Sequence, residues 1–408
     1  MMSPMKLNNK EFLMEIPKSD LHVHLDGSLR LETLIELAKD RNVKLPSYTE
    51  SGLRELVFKD RYADLVDYLE GFRYTIGVLQ DAEALERVAY ELARDNQLEG
   101  VRYLEVRFAP QLHLNRRLSM EAILESVYKG LEKAKEEFNA QVDVASGTEP
   151  PFYYGIVICA LRSFDENTSA YYRHLVHIHR FTPYRDVAAM ASLDMARAAI
   201  RIRKGLKIPI VGFDLAGKEA GFPAGYHVEA YRYVHKHFLP KTVHAGEAYG
   251  PPSIFQAITD LYADRIGHCY HLFSTDLIES PEVTDRERYV EELSQYIADR
   301  RVTVECCLTS NIQTIPNLKD LKDHAVARML DHKMSVSFCT DNRLISNTTV
   351  SQELEKAVTH FSLDSKRLRD VVITGFKRSF FPGTYAKKRY YVRQIINYYD
   401  EIARRFGV

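Results

Sequence analysis

In the segment KSDLHVHLDGSLR (residues 18–30), His22 and His24 close an apolar run and are followed at once by Asp26 and Gly27. Side chains at i and i+2 of a strand share a face. Both imidazoles can therefore converge on one metal ion, with Asp26 beside them if the strand extends that far. A histidine pair alone is equally well explained by hydrogen bonds at a strand end, so the metal reading needs partners. HAGE at 244–247 supplies His244 and Glu247, RIGHCYH at 265–271 supplies His268, and TDN at 340–342 supplies Asp341 and Asn342. Three neutral imidazoles and one carboxylate, from His22, His24, His244 and Asp341, suit a catalytic zinc that keeps a position for water. Zinc lowers the pKa of that water from about 15.7 towards about 7. Glu247, one turn past His244 with Gly246 between, can face the substrate as proton donor, and His268 can orient or deprotonate the attacking water.

Each residue alone has a plainer explanation: Asp341 as a helix N-cap, Glu247 as a solvated loop carboxylate, His268 as idle as its neighbour His271. The elements that must position them argue for the joint reading. Eight short, β-branched apolar runs recur, at 19–25, 101–108, 154–161, 208–215, 242–245, 265–269, 302–308 and 335–340. Most are separated by amphipathic stretches with helical spacing. That alternation predicts an α/β fold, a (β/α)8 TIM barrel, in which chemistry collects at the C-terminal ends of the strands and the eighth strand returns beside the first. All the candidate residues fall at such ends. The connection over 31–100 is too rich in helix formers to be one loop and reads as extra helices inserted after strand 1, capping the mouth. The run SGTEPP marks a surface loop before the third strand. With no repeat or linker, residues 1–408 read as a single metal-dependent hydrolase domain.

Composition narrows the function classes. Hydrophobic residues at 45% and charged residues at 27% fit a globular chain with a large core. Fifty-five Lys plus Arg against 56 Asp plus Glu leave a formal charge of -1, no footprint for a long nucleic acid. No window approaches the ~18 apolar residues of a membrane span, and the N-terminal stretch lacks a signal-peptide core. A cytoplasmic protein is expected, without a membrane partner. The five cysteines lie mostly in apolar strand-like runs without a CxxC pair and read as buried thiols. The HxE at 227–229 has no following PCxxC and reads as a helix start. Dinucleotide, P-loop and GxSxG signatures are absent.

The chain resembles the adenosine deaminase family of the amidohydrolase superfamily. The match runs nearly the whole length, through LHVHLDGSLR (21–30), YLEVRFAP (103–110), DLAG (214–217), HVEAY (227–231), HAGE (244–247), RIGHCYH (265–271), TSNIQT (309–314) and TDN (340–342). The resemblance implies a barrel with one catalytic Zn2+ per chain, held by His22, His24, His244 and Asp341. It implies hydrolysis of the 6-amino group of adenosine, and by extension 2'-deoxyadenosine, to give inosine and ammonia in purine metabolism. Glu247 would protonate purine N1, and His268 would hold and help deprotonate the zinc-bound water. Gly217 would offer its backbone N–H to N3, and Asp26 would accept from the ribose 5'-hydroxyl. The chain departs from the family where many members carry a second carboxylate after the metal-ligating Asp. Asn342 stands there, and its amide can donate to N7 without a raised pKa. That change keeps a second substrate in view, another 6-aminopurine nucleoside such as aminodeoxyfutalosine or a 5'-modified adenosine. A binuclear hydrolase would want a bridging Lys or Glu near residues 214–217, and a non-catalytic purine binder would have no use for Glu247.

Overall fold

The computed structural model describes residues 7–408. Eight parallel strands form the centre: β1 (Lys18–His24), β2 (Val101–Phe108), β3 (Tyr153–Leu161), β4 (Ile210–Ala216), β5 (Thr242–Ala245), β6 (Arg265–His268), β7 (Thr303–Cys306) and β8 (Ser335–Phe338). They pair in sequence order as two four-stranded sheets, β1 to β4 and β5 to β8. Each seam between the sheets is carried by a single bridge rather than a ladder. Phe213 meets Lys241 at one, and Val23 meets Asp341 at the other. The backbone N–H of Phe213 donates to Pro240 at 3.0 Å, and that of Asp341 donates to His22 at 2.8 Å. The ring order is that of a (β/α)8 barrel. All eight anticipated strands are present. β4 starts at Ile210 rather than 208, after a proline that has no N–H to give to a ladder.

The strands are short and almost wholly buried because helices cover their outer faces. Ala82–Leu98 and Met120–Asn139, which pack on one another, start at Asp81 and Ser119, whose side chains accept from Ala84 and Ala122 backbone N–H groups. The connection after β1 is helical as expected, with Leu31–Asp40, Glu50–Leu56, Leu65–Leu69 and Phe72–Val78 preceding Ala82–Leu98. The 141–151 segment contains one short helix, Val142–Ala145, before its exposed turn. The HxE at 227–229 opens the helix Val228–Lys236, as its spacing predicts. All five cysteines are free and buried. Among the described residues no helix is long and apolar enough to cross a membrane.

The barrel interior below the mouth carries charge. Arg107 reaches Asp214 at 3.0 Å and Glu305 at 2.7 Å, and Arg265 reaches Glu305 at 2.6 Å and also pairs with Glu105. All five side chains are essentially inaccessible to solvent. Removing one member of such a network typically costs about 3–5 kcal/mol, because its partner is left buried and uncompensated. The network forms the floor of the site.

Candidate active site

Ligand atoms of His22, His24, His244 and Asp341 lie within 4.8 Å of one another, all buried. Two adjacent strands across a seam and one more from the second sheet supply them. His22 Nε2 and His24 Nε2 stand 3.4 and 3.5 Å from Asp341 Oδ1, and His24 Nε2 stands 3.3 Å from His244 Nε2. Gly267 on β6 makes room for this, since a Cβ there would sit 2.9 Å from His22 Cε1.

The charged floor sets which ring nitrogens face the cluster. Burial alone would neutralise Glu305 and Asp214. Arg107 and Arg265 hold Glu305 well below the ordinary carboxylate range, and His244 and Arg107 do the same for Asp214. Both therefore act as acceptors. His22 Nδ1 donates to Glu305 at 2.9 Å, and His244 Nδ1 donates to Asp214 at 3.1 Å. Their Nε2 lone pairs are left for a cation, and His22 Nε2 has no hydrogen-bond partner despite complete burial. A buried acceptor without a partner, among facing nitrogens and an anionic carboxylate, fits a metal ion.

Glu247 and His268 lie beside this cluster and outside it, with His268 Nε2 3.7 Å from Glu247 Oε1. Burial, reinforced by Asp341 and Glu219, pushes the Glu247 carboxyl well above its ordinary value. That shift favours the acid form, the one with a proton to give. The backbone turns sharply where these residues leave their strands. Gly217, Gly246, His268 and Asp341 all have positive φ, of 92°, 76°, 63° and 61°. Glycine adopts this region freely, whereas His268 and Asp341 do so at a cost that clusters at functional sites.

Asp26 lies past the end of β1, buried, with His113 Nε2 3.9 Å from its Oδ2. Asn342 donates to the hydroxyl of Tyr68 at 2.8 Å, and Tyr68 in turn pairs with Ser346 at 2.7 Å. The helices inserted after β1 thus reach the mouth, and Phe72 packs edge-on 6.4 Å from the His24 ring. Eight of the nine anticipated site residues are buried and Gly217 is half-buried; the sequence reading missed their supports. Arg107, Asp214 and Glu305 announce themselves as charges within strands of apolar pattern. Glu219 is a quieter case. Its carboxylate accepts from the backbone N–H groups of Gly246, Glu247, Ala248 and Tyr249 at 2.8–3.1 Å, and from Ser253 Oγ at 2.8 Å. It holds the loop that carries Glu247.

The adenosine deaminase family model matches residues 17–397. The chain belongs to the adenosine deaminase family. Adenosine deaminase of Mycolicibacterium vanbaalenii is 34% identical over 383 residues, covering 93% of this chain and 94% of that protein. A probable adenosine deaminase of Dictyostelium discoideum is also 34% identical, over 379 residues and 91% of this chain, which spans 42% of that longer protein. Among solved structures, adenine deaminase of Arthrobacter aurescens superposes with a TM-score of 0.71 at 20% identity, over 94% of this chain and 98% of that one. The N6-mAMP deaminase of Arabidopsis gives 0.71 at 23%, over 95% and 99%. An amidohydrolase of Burkholderia ambifaria with bound Zn gives 0.75 at 16%, over 98% and 95%. These likenesses establish the barrel fold, and family membership makes the chain an adenosine deaminase-type hydrolase.

Proposed function

We propose that this chain is a zinc-dependent adenosine aminohydrolase, with His22, His24, His244 and Asp341 as the metal ligands. The observation that carries the reading is the pairing of a four-residue donor cluster with a separate, buried Glu247 carboxyl beside it. The Zn-bound fold relative supports zinc as the ion. Zinc, when bound, would supply a hydroxide nucleophile at neutral pH. Glu247 would donate its proton to purine N1, which makes C6 electrophilic enough for addition of water; the C6–N bond then breaks and the amino group leaves as ammonia. His268 would hold the attacking oxygen. Gly217 would give its N–H to N3, and Asn342, with one amide hydrogen on Tyr68, keeps a second for N7.

The ribose side favours a neutral 5' group. Asp26 is raised to about 7 by burial, and among the described residues no lysine or arginine offsets it. Its neighbour His113 donates from Nδ1 to Leu79 at 2.9 Å, so its Nε2 is an acceptor as well. A half-ionised carboxyl and an imidazole lone pair suit a hydroxyl, and neither supplies the positive charge that would hold a phosphate. Ammonia release should therefore be fast with adenosine and 2'-deoxyadenosine and slow with adenosine 5'-phosphate, and methylamine release from its N6-methyl form should be slow as well. Turnover of 5'-substituted compounds with none of adenosine would overturn the substrate assignment.

A further inference from the structure

Asn311 lies on the helix Leu308–Thr314 after β7, and His324 follows the short turn Leu321–Asp323. Both are buried, the His324 ring lying 5.1 Å from that of Tyr270 and 6.3 Å from that of Phe361. The backbone N–H of Val326 donates to His324 Nδ1 at 3.0 Å. A backbone amide can only donate, so Nδ1 presents its lone pair, and the neutral ring carries its proton on Nε2. Burial favours that neutral form, lowering the His324 pKa to about 3. His324 Nε2–H then donates to Asn311 Oδ1 at 3.1 Å, which turns Asn311 Nδ2 towards His268 Nδ1, also at 3.1 Å. His268 Nδ1 is thus an acceptor, and the ring's proton lies on Nε2, the nitrogen facing Glu247 and the metal cluster.

We propose that His324 and Asn311 are positioning residues that fix the tautomer of His268, so that it presents an N–H rather than a lone pair to the attacking oxygen. Every direction in the relay follows from one fixed donor, the Val326 amide. Of the two roles expected for His268, orienting the water or deprotonating it, the relay selects the first. A base at Nε2 would require the Asn311 amide to turn over, setting its NH2 against His324 Nε2–H, donor against donor. The inference rests on the deaminase reading for its catalytic meaning, but not for its geometry.

Ring-15N histidine in the zinc-loaded protein tests it, with the His268 signals assigned by their loss in His268→Asn. The wild type should carry the His268 proton on Nε2. Asn311→Asp keeps the acceptor for His324 but removes the donor to His268, so the proton should move to Nδ1. With it, kcat should fall by about 10-fold or more, as for other outer-shell partners, while KM stays within about twofold. His324→Phe should lower kcat similarly, and His324→Gln, which keeps an N–H for Asn311, should recover most of it. A wild-type proton on Nδ1, or one that stays on Nε2 in Asn311→Asp, overturns the relay. The spectrum does not depend on turnover. A wild type that releases no ammonia yet shows the Nε2 proton would therefore sink the deaminase reading and leave the relay standing.

Discussion

Glu219→Gln is the sharpest test of how Glu247, the proposed proton donor, is held. The native carboxylate serves four backbone N–H groups and one hydroxyl, three of the N–H groups on Oε2 and the fourth, from Gly246, on Oε1 with Ser253. Glutamine keeps one oxygen. Placed at Oε2, it retains the bonds from Glu247, Ala248 and Tyr249, while its NH2 meets the Gly246 N–H head-on. The Ser253 hydroxyl can rotate to accept, but the Gly246 amide is left buried and unpaired, at about 1–3 kcal/mol. The three retained bonds weaken on losing the charge, by about 1 kcal/mol each before the lower desolvation cost of a neutral amide is credited. A net of about 2–3 kcal/mol falls on the loop that places Glu247, equivalent to a loss of about 30- to 150-fold in kcat/KM. The assay is steady-state ammonia release together with metal content, which should hold because His244 precedes the loop. A variant within threefold of wild type and with an unchanged melting temperature would refute the argument that this carboxylate positions the donor.

Two further outcomes follow from the site and from the core. Glu247→Gln should retain its metal by atomic emission and lose about 100-fold or more in kcat, whereas His244→Ala should lose the metal itself; equal metal loss in both would remove Glu247 from its role outside the cluster. His113, His227 and His324 are held neutral chiefly by burial, at about 4, 3 and 3. The unfolded chain takes up these protons below its ordinary value near 6.5 and the folded chain does not. Stability is therefore complete above about pH 6.5 and is lost as pH falls towards the folded values, by about 1.36 kcal/mol per unit for each histidine and about 4 for the three together. Urea midpoints that stay level from pH 6.5 to 5 would contradict this.

The fold was legible because β-branched runs and amphipathic stretches alternate eight times, and the donor set because barrel chemistry gathers where strands end. Spacing alone put His22 and His24 on one face, but their reading as ligands, like that of His244 and Asp341, needed the ring order that brings β5 and β8 to β1. The charged floor left a trace that pattern reading passed over. Glu105, Arg107, Asp214 and Glu305 interrupt strands that are otherwise mostly apolar, and buried charges must find partners. Glu219 and the link from His324 to Asn311 left none. Their partners are backbone amides and an amide side chain brought close by loop shape, and no residue type or interval encodes that.

The two single-bridge seams have a mechanical consequence. His22 and His24 belong to the sheet β1 to β4, His244 belongs to the sheet β5 to β8, and Asp341 lies on the chain that leaves β8. Any ion bound by all four clasps one half of the barrel to the other where hydrogen bonding is thinnest, so its binding energy is also energy of barrel closure. Chelation would then do more than silence the site: amide exchange should quicken along Val23, Phe213, Lys241 and Asp341 before it does so within either sheet, and a metal held there would be the last fastening of the fold as well as its first reagent.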